Sequence, residues 1–367
     1  MTKDFNNGKL FSTEVAVFKT ASENLFAIIG KEVFSLQNTI QYDKPFLNYE
    51  ELISLMESRN IVIDDCDFAQ KALSNISYYT LVNGYKNTFP IDALSERFVS
   101  PINFNELYTL HIIDSSLNSL LLKNILMIEH SLKSKVSYIV SKNFGVYTDV
   151  SDLSNRANGD YLNLRNYSSN NARNNILRSL KQALRDNARN NIVKHYENTK
   201  NHIPPWILTT TISFGLSIKW YTILKSSDKD YVCNAFIEDG RLPIEDKKEF
   251  LIQSLKLLRE YRNIIAHGNR TFSTLMNSII PKHQLLLLSN NILTESEYNS
   301  RIGQKDLVAI ILIIAILLND RYMTRNFIND LEYIFQPYLE ITFSTKTIFE
   351  VFGLPSDFFD RIEKNML

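Results

Sequence analysis

Residues 105–140 place Leu107, Leu110, Ile113, Leu117, Leu120, Leu121, Ile125, Ile128, Leu132 and Val136 at intervals typical of one helical face. An α-helix brings such positions into a single stripe, so this stretch predicts a long helix that must find apolar partners. The same recurrence predicts helices over 174–195, 206–225, 246–267 and 305–335. In the helix over 246–267, Phe250, Leu251, Leu255, Leu258, Tyr261 and Ile265 supply the buried face. Gly and Pro number only 10 and 9, and convincing alternating strands are few. The fold class predicted is all-α, a helical bundle. Leu307 to Leu318 is an apolar run of 12 residues between Asp306 and Asn319-Asp320-Arg321. It is too short to span a bilayer and reads as a buried core helix, with no membrane partner.

Lys plus Arg equals Asp plus Glu at 40 each, so the whole chain carries no field that announces a polyanion. The charge is unevenly spread. Residues 1–100 hold 9 basic and 13 acidic side chains, whereas residues 151–204 hold 9 basic and 4 acidic. Any electrostatic footprint for a polyanion belongs in the second segment, where Arg178, Lys181, Arg185 and Arg189 form a stripe beside Leu177, Leu180 and Leu184. A solvated charged face accounts for the same stripe. Cys66 and Cys233 lie far apart with no redox or metal spacing, and no apolar segment of signal-peptide type follows the amino terminus. The chain reads as reduced and cytoplasmic. It has no Gly-rich phosphate loop, no His-Glu-x-x-His and no paired Cys-x-x-Cys, so neither a metal nor a cofactor is expected.

Three regions are expected. Residues 1–100 form a smaller helical module for sensing or restraint. Residues 101–340 form the bundle, with an inserted loop and a basic helix near 151–200. Residues 341–367 form a carboxy-terminal extension. Within the first, Lys44-Pro45-Phe46-Leu47-Asn48-Tyr49-Glu50-Glu51 reads as a turn and helix start, and the first forty residues as an arm or ordered extension.

The stretch Arg259-Glu260-Tyr261-Arg262-Asn263-Ile264-Ile265-Ala266-His267-Gly268 closes the helix over 246–267 and carries the chemistry. Arg262 offers a permanent charge in a fork that grips phosphate at two points. His267 is the side chain best suited to pass protons near neutral pH. Five residues apart, the two differ by about 140° around an ideal helix. They converge only if the helix loosens near Gly268 or if a second chain completes the site. Cleavage by an RNA 2′-hydroxyl needs one proton acceptor and one donor, and a two-fold homodimer would supply two copies of His267. A plain structural role is also open, with Arg262 on the last carbonyls and His267 favoured by the helix dipole. Trp206, Phe214 and the Tyr78-Tyr79 pair read as packing residues rather than as platforms for bases.

Several blocks resemble abortive-infection phage-resistance proteins of the AbiD/AbiF type, whose catalytic part belongs to the HEPN ribonuclease superfamily. In order, they are Lys44-Pro45-Phe46 with Tyr49-Glu50-Glu51, Ile76-Ser77-Tyr78-Tyr79-Thr80-Leu81 with Gly84-Tyr85 and Phe89, and Ile128-Glu129-His130-Ser131-Leu132-Lys133. Pro205-Trp206 with Ser213-Phe214-Gly215-Leu216-Ser217 follows, and Arg262-Asn263 through His267 supplies the Arg-polar-x-x-x-His motif. Thr210 stands near a position that is often acidic in the family, and Asn269 where a modified tyrosine stands in some HEPN proteins.

The resemblance implies a HEPN-like bundle and a metal-independent endoribonuclease toxin that halts a phage-infected cell. The alternative is a non-cleaving RNA-binding protein of a toxin–RNA antitoxin pair. Arg262, His267 and Asn263 are the expected catalytic residues, with Glu129 in support. Arg178, Lys181, Arg185, Arg189, Lys133 and Arg259 are the expected RNA contacts, although Glu129 and Lys133 also have the spacing of an ordinary helical ion pair. The expected partners are an RNA substrate, a small inhibitory RNA, a second copy of the chain and a phage-derived trigger.

Overall fold

The computed structural model describes residues 44–266, 268, 270 and 272–366. His267, Asn269 and the expected amino-terminal arm lie outside the described residues. The chain divides between Met56 and Glu57 into two compact units. In the first, the Asn48 N–H donates to Glu51 Oε2 at 2.7 Å and the Glu51 N–H donates to Asn48 Oδ1 at 2.9 Å. This reciprocal cap starts helix α1 (Tyr49–Ser58) where the sequence predicts a helix start.

The second unit opens with strand β1 (Ile61–Val62), helix α2 (Cys66–Asn75) and a π-helical turn over Tyr79–Asn83. Strand β2 (Ile102–Asn103) pairs parallel to β1, with Ile61 opposite Ile102. Residues 57–103 therefore return to the start of helix α3 (Phe104–Phe144) within one compact unit. With 41 residues, α3 is about 60 Å long. Asn103 and Glu106 form its capping box, and Gly145 at φ +84° follows its last turn. Every residue of the predicted apolar stripe is buried.

The remaining helices are α4 (Arg173–Asp186), α5 (Asn191–Thr199), α6 (Pro205–Thr211), α7 (Phe214–Ile223), α8 (Ser226–Asn234) and α9 (Ile244–Ala266). They continue with α10 (Lys282–Leu288), α11 (Glu295–Asn299), α12 (Leu307–Leu318) and α13 (Arg321–Phe335). Helices α6, α7, α8, α9, α12 and α13 all pack on α3, which is the spine of an all-α bundle. The apolar run is α12, buried on almost every side, as its composition requires. Among the described residues, no helix is long and apolar enough to cross a membrane.

Three helices expected to be continuous are broken, each at a polar residue that competes for backbone N–H groups. The stretch 174–195 is interrupted after Asp186, and Asn190 caps α5 by accepting from the Ile192 N–H. Ser213 splits 206–225 by accepting from the Leu216 N–H. Asn319, left-handed at φ +46°, and Asp320, which accepts from the Met323 N–H, split 305–335. Apolar periodicity carries across such breaks because both halves still face the core.

The extension after residue 340 forms a hairpin of β3 (Thr342–Phe343) and β4 (Lys346–Thr347), then α14 (Ile348–Phe352) and α15 (Phe358–Met366). The Ser344 N–H donates to Glu106 Oε2 at 2.7 Å, tying the hairpin to the start of α3. Phe352 meets Phe335 edge-on and lies 4.7 Å from Phe272, whose ring stacks on Tyr85 at 6.0 Å. This aromatic chain fixes the floor beneath Tyr85.

Candidate functional site

Helix α9 buries Phe250, Leu251, Leu255, Leu258 and Tyr261 as predicted. Regular helix ends at Ala266, and the Gly268 N–H donates to Ile265 O at 2.8 Å. Gly268 has φ +69°, a left-handed conformation that glycine adopts at little cost after a helix end. Glu260 holds the following loop by accepting from the Asn277 N–H at 2.7 Å and the Ser278 hydroxyl at 2.8 Å.

Arg259, Arg262 and Asn263 converge on the start of α7. With Ser213, Phe214, Gly215, Leu216 and Lys219 they line a pocket of about 330 Å³. No carboxylate stands among the described residues that line it. The N-terminal amides of α7 bring partial positive charge to the same space as three cationic side chains. Gly215 makes that approach feasible. A Cβ there would lie 3.3 Å from Arg259 Cδ and 3.4 Å from its Nη1. Among the described residues, the Nε atoms of Arg259 and Arg262 are buried without a hydrogen-bond partner, while Arg262 Nη1 reaches Asn263 Oδ1 only at 3.5 Å. Such a cluster is chemically suited to an anion with several acceptor oxygens.

A larger cleft of about 570 Å³ lies beyond the end of α9, lined by Ile265, Gly268 and Arg270. Its other walls are the π-helical turn, with Tyr79 and Asn83, and the polar side of α3, with His111, Asp114 and Asn118. The Tyr85 hydroxyl donates to Asp114 Oδ2 at 3.0 Å and lies 3.2 Å from His111 Nδ1. Tyr85 and Asp114 are buried. Burial holds the Tyr85 phenol well above its ordinary range, with the Asp114 carboxylate adding to the effect. Burial also lowers the His111 imidazole.

The other expected residues are more dispersed. Lys133 donates to Glu129 Oε1 at 2.7 Å within α3, with little of either side chain exposed. Neither residue lines the two pockets above. Arg178 and Arg189 are exposed. Arg185 is exposed, but its guanidinium donates to Val150 O and Ser151 O, both at 2.9 Å.

Lys181, expected on the exposed basic stripe, is buried instead. Its ammonium is fully buried, 2.6 Å from Asp160 Oδ2 and 2.7 Å from Asp152 O, where it ties α4 to the preceding loop. Phe214 is buried as expected. Tyr79 and Trp206 instead are 76% and 46% exposed, so they are not core residues.

Sequence reasoning had overlooked His111, Asp114, Ser115, Asn118 and Ser119, which line the larger cleft. Their spacing of three and four is itself a helical signal, a polar stripe beside the apolar one. Lys219 was missed because only the fold brings it beside Arg259 and Arg262, whereas Arg270 lies four residues beyond the end of α9 in the sequence itself. The helix-capping role of Ser213 was likewise hidden inside a block read for its resemblance.

A family model described as Abi-like protein matches residues 71–273, from α2 through the loop after α9. No curated protein matches the chain. No solved structure matches it either. The matched span is over half of the chain and contains the Tyr79–Tyr85 region, the Ser213–Leu216 cap and Arg262. The chain belongs to the Abi-like protein family of abortive-infection phage-defence proteins.

Proposed function

We propose that this protein is an endoribonuclease toxin of abortive infection, cutting RNA through attack by its 2′-hydroxyl without a metal. The observation that carries the reading is the convergence of Arg259, Arg262 and Lys219 on the start of α7, in a pocket whose described lining holds no carboxylate. An internucleotide phosphate fits that charge, and Arg262 would stabilise negative charge as it grows on the non-bridging oxygens. His267 would handle protons, with Asn263 beside Arg262 as an orienting group. The expected ends are a 2′,3′-cyclic phosphate and a 5′-hydroxyl. A two-fold homodimer would bring two copies of the motif together, and sedimentation of the purified chain reads that assembly directly. A phage component would trigger the toxin through the amino-terminal region, and a small RNA would restrain it.

Purified protein incubated with RNA in excess chelator tests the activity. Wild type should cut, leaving 5′-hydroxyl ends. Arg262→Ala should slow cleavage by about 10²–10³-fold and His267→Ala by about 10²–10⁴-fold. Equal cutting by wild type and both variants would remove the motif from the chemistry. RNA that co-purifies and is retained without turnover would instead identify a binding protein.

A further inference from the structure

The larger cleft contains a proton-handling group of its own. Asp114, Tyr85 and His111 form a hydrogen-bonded chain along the cleft wall, with spacings of 3.0 and 3.2 Å. Tyr85 has a single hydroxyl proton. An ionised Asp114 accepts only, so that proton lies toward Asp114 Oδ2. Toward His111 the phenol oxygen then acts as acceptor, which places the imidazole proton on Nδ1. A neutral His111 in that tautomer has its free lone pair on Nε2. Burial favours the neutral ring by penalising its charge, which is the form a general base needs.

Two further features set this cleft apart from a buried polar network that serves stability alone. The chain ends on a cleft of about 570 Å³ rather than on packed side chains. One wall is the π-helical turn Tyr79–Asn83, a geometry concentrated at functional sites. Tyr79 on that turn is 76% exposed, and Tyr79, Asn83, Ser115 and Asn118 give the cleft a stacking ring and several hydrogen-bonding groups. Ile265, Gly268 and Arg270 also line this cleft, whereas Arg262 and Asn263 line the anion pocket. The last turn of α9 thus contributes to both sites. A single RNA strand crossing it could place a phosphate in one and the adjoining nucleoside in the other.

We infer that this cleft receives the nucleoside whose 2′-hydroxyl attacks, and that His111 is the catalytic residue that accepts its proton. The inference rests on the ribonuclease reading above and adds a second imidazole within one chain. In the step, the 2′-O–H bond breaks and its proton passes to His111 Nε2. The oxygen's electron pair forms the O2′–P bond. The P–O5′ bond breaks with its electron pair retained by O5′, and O5′ takes a proton from the His267 imidazolium. One proton is removed and one supplied, so charge balances without another reactant. Tyr85 is a positioning residue because it acts through His111, whose tautomer it fixes.

The test is single-turnover cleavage by the full-length protein in chelator, with His111→Gln and His111→Ala beside wild type. Binding is measured with an oligoribonucleotide whose attacking 2′-hydroxyl is replaced by hydrogen. His111→Gln should slow cleavage by about 10²–10⁴-fold while retaining binding and the thermal unfolding profile. Imidazole added in solution should restore cleavage to His111→Ala, an effect that a purely structural histidine would not give. In wild type, cleavage should fall as acid protonates His111, with the midpoint below the ordinary histidine value because burial lowers it. Among the described residues, Tyr79, Tyr85, Asp114 and Arg270 are the other titratable or charged groups lining the cleft. Cleavage at the wild-type rate by His111→Gln overturns the role of His111 and leaves the ribonuclease reading intact. Slow cleavage with weakened binding and no imidazole rescue assigns His111 a structural role and also overturns it. Absence of cleavage by wild type itself would overturn the underlying reading.

Discussion

Gly215 matters because of what its missing side chain admits. It lies in the first turn of α7, beside the aliphatic stem and Nη1 of Arg259. Alanine has the better intrinsic propensity for a helix, but its Cβ would press on Arg259 at 3.3–3.4 Å. If this pocket holds phosphate as proposed, Gly215→Ala should weaken RNA binding while leaving thermal stability unchanged or slightly raised. Fluorescence anisotropy beside a melting curve checks both parts, and unchanged affinity would detach Arg259 from the binding site. The arginine motif was legible in the sequence because it combines a fork and an imidazole in one short stretch. The support from Gly215 was not, since 44 positions separate it from Arg259.

At the level of elements, α4 shows how one pattern conceals two roles. Its apolar face is legible, and Ile176, Leu177, Leu180 and Leu184 are buried. Arg178 and Lys181 nevertheless differ completely, because one is exposed and the other enters the core beside Asp160. Asp160 also accepts from the Leu162 N–H at 2.7 Å and the Asp149 N–H at 3.1 Å, so one carboxylate organises much of the loop before α4. Removing the ammonium leaves that carboxylate buried without its cation. Lys181→Ala should cost about 3–5 kcal/mol in urea unfolding. A loss under about 1 kcal/mol, the range of an exposed pair, would contradict the buried geometry. Helix breaks show the same limit of one-dimensional reading. Ser213 and Asp320 compete for local N–H groups inside apolar patterns that continue on both sides.

For the whole molecule, net charge is zero, so the RNA binding proposed above rests on where cations gather rather than on their number. The anion pocket holds Arg259, Arg262 and Lys219. If these make the phosphate contacts, log K against log salt should have a slope near −2 for single-stranded RNA, at about 0.7 per contact. Engagement of exposed Arg178 and Arg189 as well would steepen it to about −3.5. A binding titration across salt distinguishes the two and reads whether the face of α4 takes part. A salt-independent affinity would argue against phosphate contacts altogether.

The sequence by itself determined the helical class, the inward face of α3, the buried run of α12 and the glycine stop after the motif. Each follows from local periodicity or backbone preference, which adjacent residues encode. Tertiary structure alone decided that Gly215 and Lys219 meet Arg259 and Arg262, that Lys181 pairs with Asp160, and that Tyr85, His111 and Asp114 share one hydrogen-bonded chain. Those outcomes depend on which helical faces meet when α3 gathers its partners, and spacing along the chain does not specify such distant contacts.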